Sequence, residues 1–220
     1  MVVVLRLCAT LAQLVERLIR NQQVAGSIPA GGSSTCFAKL LHRSVEIMEF
    51  DPALYGAVAE SLLLAAGWPG HRMPLVIGDC NAPTVRAQLH NKKATDIFPN
   101  ALHPNAALSG LYLYVSCFEE SHNLAQDIKN ADGSYWHAIL HRQEPDAANA
   151  SYWFHKVGSH ATFPDLAKEA EALGYKTKTT WDPHGFLTFC AAPANKKLAL
   201  EIQHAEWQLL FHHCARTKSA

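Results

Sequence analysis

Between Phe118 and His160 the chain reads FEESHNLAQDIKNADGSYWHAILHRQEPDAANASYWFHKVGSH, which holds five of its thirteen histidines together with Glu119, Glu120, Asp132, Arg142 and Glu144. Imidazoles and carboxylates at this density can ligate a metal ion, move protons or grip a polar ligand, provided the fold turns them the same way. His137 and His141 stand four residues apart. On a helix that spacing puts both rings on one face, within reach of one ion at the ~2.0–2.1 Å of a zinc–imidazole bond. Glu119 and His122, three apart, share a face in the same manner. The candidate metal ligands are therefore His122, His137, His141 and Glu119, holding zinc or iron, with Glu120 as the candidate catalytic base. Position 138 is alanine, so the HExxH pattern is missing and no zinc-protease mechanism follows.

Chance sets the weight of these spacings. Thirteen histidines in 220 residues give about 0.7 pairs at any fixed separation, so one HxxxH is what a random order supplies. The acidic and histidine positions Glu60, Glu119/His122, Glu169 or Glu171 and Glu201/His204 also follow the order of ligands in a di-iron bundle. That pattern asks for four long helices, however, and prolines cut this chain into short ones. A second functional class draws on the same stretch. Trp136, Tyr152 and Trp153 offer flat amphipathic faces, and Arg142, Glu144, Asn149 and His160 offer polar contacts, so these seven residues are candidates to line the pocket of a non-catalytic small-molecule binding module. As plain structure, the aromatics read as core and Arg142 with Glu144 as an ion pair at a helix end. A hydrolase elbow, a phosphate loop and a dinucleotide fingerprint are all missing from the sequence.

Composition bounds the rest. Nineteen basic residues balance nineteen acidic ones, so no field draws phosphate backbones or anionic lipid, and neither nucleic acid nor membrane is expected as a partner. The six cysteines are spread without a CxxC pair, which fits free thiols and a cytoplasmic location. With 49% hydrophobic residues the chain can bury a sizeable core. Its oligomeric state is not readable.

The first thirty residues carry Arg6, Arg17 and Arg20 against Glu16 and run into GGSS at 31–34. Arg6 interrupts the apolar run that a secretory signal requires; a mitochondrial-type transit helix fits the arginines and the scarcity of acids, though it would carry more serine. Residues 11–30, LAQLVERLIRNQQVAGSIPA, resemble the peptide made when a transfer-RNA gene is translated at the front of a reading frame. On that resemblance residues 1–47 form a non-native or disordered extension, and 48–220 form the domain.

The elements that must position the site are helices. Periodicity and caps predict helices over 52–66, 84–93 and 105–129, the last with strand propensity at 111–118. Asp132-Gly133-Ser134 opens a helix over 135–143, stopped before Pro145, and Asp146 caps another over 147–157 that Gly158 closes. Further helices are expected at 164–173 and 195–216, with a turn near Trp181-Asp182-Pro183. The expected fold is mainly α, a single compact irregular helical bundle with the N-terminal extension outside its core. The short linker between the helices bearing His122 and His137 should lay them antiparallel.

EESHNLAQDI, SYWHAILHRQEPD, NASYWFHKVGSH and EWQLLF resemble a group of bacterial and fungal proteins of unknown function, over about residues 50–216. The resemblance implies that Glu120, His122, His137, His141, Arg142 and Glu144 belong together, and it brings no activity or cofactor.

Overall fold

Breaks in helical periodicity set the path of this chain. The computed structural model describes residues 50–177 and 180–217, and the expected extension at 1–47 lies outside the described residues. The domain is mainly α-helical; among the described residues the only β pairing is one isolated bridge, Ala101 to Thr217. A 3-10 turn at Pro52–Tyr55 leads through Gly56, at φ 96°, into α1 (Ala57–Ala65). Helices α2 (Pro83–Leu89), α3 (Ala94–Ile97), α4 (Pro104–Tyr114) and α5 (Phe118–Asp127) follow. Then come α6 (Ala131–Gln143), α7 (Ala147–Val157), α8 (Phe163–Ala172), α9 (Pro183–Ala191) and α10 (Lys196–Ala215). No helix among the described residues is long and apolar enough to cross a membrane.

Three departures from the sequence reading matter for the site. The segment expected as one helix over 105–129 is a hairpin of α4 and α5, broken where Ser116 takes a left-handed φ of 57°. Reciprocal bonds close this hairpin: the Ser109 hydroxyl donates to the Ser121 carbonyl at 3.0 Å, and the Ser121 hydroxyl to the Ser109 carbonyl at 2.8 Å. Helix α6 begins one turn earlier than expected, because the Asn130 side chain, rather than Asp132, accepts from the Gly133 amide at 3.1 Å. The turn expected near residue 183 opens α9, with Asp182 accepting from the His184 amide and Pro183 in the first helical position. The α7 prediction coincides with the observed helix, capped by Asp146 on the Asn149 amide. The cysteines are also closer than their spread suggests, since Cys80 and Cys117 place their sulfurs 2.7 Å apart.

Helix α6 runs through the middle of the domain and packs against α4, α5 and α7. Every residue from Asp132 to Gln143 is buried. Trp136 takes this helix to within backbone distance of α4, where a Cβ on Gly110 would lie 2.5 Å from the indole ring. The Gly110 carbonyl in turn accepts from the Trp207 indole of α10 at 2.8 Å. At the other end of α6, Arg142 forms a fully buried two-pronged pair with Glu206 of α10 and lies over the Phe186 ring at 4.9 Å. Tyr135 donates to Glu206 at 3.0 Å, and Gln203 takes a further Arg142 hydrogen bond at 3.3 Å.

Two substitutions test this packing. Gly110→Ala gains about 1 kcal/mol of helix propensity but drives a methyl into a buried indole, at a cost of about 1–3 kcal/mol. The urea midpoint is expected to fall with an unchanged slope; a raised midpoint would mean that Trp136 is free to yield. Arg142→Met strands a buried carboxylate and should cost about 3–5 kcal/mol, whereas Arg142→Met/Glu206→Met removes both charges and should recover much of that loss. The same denaturation series measures both, and a double variant weaker than the single one would contradict the pairing.

Candidate functional site

The hairpin of α4 and α5 turns His122 toward α6, where His137 and His141 lie one turn apart on the facing side. One nitrogen from each of the three rings comes within 4.8 Å of the others. The His122 and His137 rings are 4.4 Å apart, His122 and His141 5.5 Å, and His137 and His141 4.7 Å, measured between centroids. Four cis or tetrahedral bonds of ~2.0–2.1 Å bring ligand atoms to about 3.0–3.4 Å from one another, so modest side-chain motion closes this set around an ion. His137 and His141 are buried, and His122 is half-buried at the rim.

The surroundings orient these rings and keep His137 neutral. Trp153 of α7 stacks on His137 at 3.9 Å and 15°, and Phe118 stacks on His122 at 5.7 Å. Burial pushes the His137 pKa down to about 3, with the neighbouring His122, His141 and Lys156 acting in the same direction. A neutral imidazole is the form that binds metal. The Nδ1 of His137 is buried without a hydrogen-bond partner. His141 donates from Nδ1 to Glu144 at 2.6 Å, which leaves the lone pair on its Nε2. The Asn149 amide now meets that Nε2 at 3.1 Å, so an ion there takes the lone pair that the amide uses.

The two glutamates expected beside these rings stand elsewhere. Glu120 is two residues from His122, about 200° round the helix, and faces α2, where it pairs with Arg86 at 2.5 Å. Its carboxylate is engaged by a guanidinium instead of being poised as a base. Glu119 is exposed and outside the three-imidazole group. The di-iron order is not assembled either, since Glu201 pairs with Arg72 at 3.2 Å and His204 stacks on Trp68.

The residues expected to line a ligand pocket divide among three places. Trp136 and Arg142 are core: Trp136 is wholly buried, and Arg142 is consumed by Glu206. Glu144, Asn149 and Trp153 border the three imidazoles. Tyr152 is exposed beside Trp153, and the Lys156 ammonium lies over both rings at 4.8 and 4.5 Å. His160 belongs to a different cluster altogether.

That cluster gathers on Asp132, which lies in the first turn of α6 behind the Asn130 cap. His160 bonds Asp132 Oδ1 from Nε2 at 3.0 Å, His213 of α10 stands 3.3 Å from the same oxygen, and His103 stands 3.6 Å from Oδ2. Asn130 donates to Oδ2 at 3.2 Å. Burial alone would raise the Asp132 pKa, but hydrogen bonds from His160 and His213, with the charge of His103, override it and hold the carboxyl well below the usual range. No local spacing signals this group, because its members come from the loop before α4, the start of α6, the loop before α8 and the end of α10.

Comparison of the chain with family models, with curated proteins and with solved structures finds no match in any of the three.

Proposed function

We propose that the protein is a metal-dependent enzyme acting on a small molecule, with zinc or iron held by His122, His137 and His141. The observation that carries this reading is the convergence of three imidazoles from two helices, two of them buried and His137 with an unpartnered ring nitrogen. A buried imidazole nitrogen without a partner is costly, and ligation would satisfy it. Three imidazole donors suit zinc and iron among the first-row ions and, around zinc, leave a fourth position open. An ion so held would supply a Lewis acid and an acidified water. The chain's own groups would do the rest: Glu144 fixes the His141 ring, Trp153 keeps bulk water from the face of His137, and the Asn149 amide offers a polar contact at the rim. The binding-module alternative loses Trp136 and Arg142 from its wall, because both are core.

Metal analysis of chelator-stripped, untagged full chain reloaded with Zn²⁺ tests the site. Wild type should take up zinc and gain thermal stability in proportion to the logarithm of free zinc, by about 2.7 kcal/mol at one hundred times Kd. His122→Ala, at the rim, should keep the fold and lose this component. His137→Gln should lose it as well. Zinc uptake of less than ~0.2 equivalents, or uptake indifferent to both variants, would end the proposal.

A further inference from the structure

The Asp132 cluster has the composition and spacing of a second metal centre, separate from the three imidazoles. We propose that Asp132, His103 and His213 form a two-histidine, one-carboxylate site for a divalent first-row cation of the iron(II) type, with His160 and Asn130 holding the carboxylate in place. Nothing in this inference depends on the three-imidazole site being occupied.

The argument begins with which partners of Asp132 are fixed. The Thr162 backbone amide donates to His160 Nδ1 at 3.3 Å, so that nitrogen is an acceptor and the ring proton sits on Nε2, donated to Asp132 Oδ1. The Thr162 hydroxyl lies 2.8 Å from the same Nδ1. Asn130 donates to Oδ2. These two donors, one on each oxygen, orient the carboxylate without help from His103 or His213, as outer hydrogen bonds commonly do for ligating carboxylates.

The other two rings are placed differently. His103 at 3.6 Å is beyond a hydrogen bond to Oδ2, yet its Nε2 faces the carboxylate, and His213 faces Oδ1 at 3.3 Å. Two ligand atoms bound at ~2.1 Å to one ion in cis or tetrahedral positions are about 3.0–3.4 Å apart. The nitrogen–oxygen separations sit at or just above that range, and one ligand atom from each of the three residues lies within 4.8 Å of the others. The two imidazole planes are inclined by only 21°, with centroids 5.9 Å apart.

Access and charge agree with this assignment. The side chains of His103 and His213 are 34% and 18% exposed, whereas Asp132 and His160 are buried, so an ion has a path in from one side and a closed wall behind. A divalent ion there would meet one carboxylate, which offsets part of its charge, and two imidazole nitrogens. Two nitrogens and one carboxylate with open positions are the donor set of non-haem iron(II) centres. Asp132 and His137 are five residues apart on α6, about 7.5 Å along the axis and 140° round it. The two clusters therefore lie on different faces of one helix.

Anaerobic titration of the stripped full chain with Fe²⁺, with Co²⁺ as the spectroscopic stand-in, separates the two sites. In a His122→Ala background, one equivalent of Co²⁺ should still bind, with weak visible bands of a five- or six-coordinate ion instead of the strong bands of a tetrahedral one. Asp132→Asn, His213→Gln or the more exposed His103→Gln, added to that background, should weaken this binding ~10–100-fold or abolish it. In the wild-type background the same substitutions should leave the tetrahedral signal of the other site in place. If the His122→Ala protein binds no ion, or if His103→Gln and His213→Gln change nothing, the second site is refuted. If His122→Ala removes no metal while His213→Gln removes all of it, the second site stands and the three-imidazole reading fails.

Discussion

The structure depends on the burial of α6. A helix enclosed from Asp132 to Gln143 must carry side chains that the interior accepts, yet this one carries Asp132, His137, His141, Arg142 and Gln143. Buried polar groups cost free energy unless partnered. Each has a different solution: Arg142 meets Glu206 and Gln203, Gln143 donates to the Pro74 carbonyl at 2.7 Å, and Asp132 collects imidazoles and an amide. His137 keeps its buried Nδ1 without a partner, as Arg142 does its Nε and Trp136 its indole nitrogen, but only His137 sits where two more imidazoles converge. Tertiary packing, not helix propensity, thus decides which polar residues on α6 are spent on stability and which remain available for chemistry.

The sequence was informative where the physics is local. Asp146 caps α7 as its type and position suggest, and HxxxH on α6 puts two rings on one face because 3.6 residues make a turn. The contact between the helices bearing His122 and His137 followed from the short linker between them. Where the outcome depends on distant partners, the sequence was silent. Ser116 takes a left-handed conformation because α4 and α5 are drawn back together by Ser109 and Ser121. Neither serine announces that role in a pattern of spacing.

The site residues divide along the same line. Glu120 is a neighbour of His122 in sequence but lies about 200° round the helix, so Arg86 claims it. Trp136 adjoins His137 yet points at Gly110, and Arg142 adjoins His141 yet points at Glu206. A dense motif on a buried helix serves several faces at once, and adjacency in such a motif says little about shared function. The Asp132 cluster was unreadable for the converse reason: its histidines come from widely separated segments, and the aspartate sits where a capping role explains it locally.

The two clusters differ in how they meet the cost of burial. His137 can be enclosed under Trp153 because burial holds it neutral, so no charge is desolvated there. A carboxylate has no such option. Asp132 remains ionised inside the domain because hydrogen bonds from His160 and His213, with the charge of His103, override its burial. Asp132 is as buried as His137, and the partly exposed rings of His103 and His213 stand beside it. The partners that each cluster gathers on α6 thus follow from the charge its own groups carry.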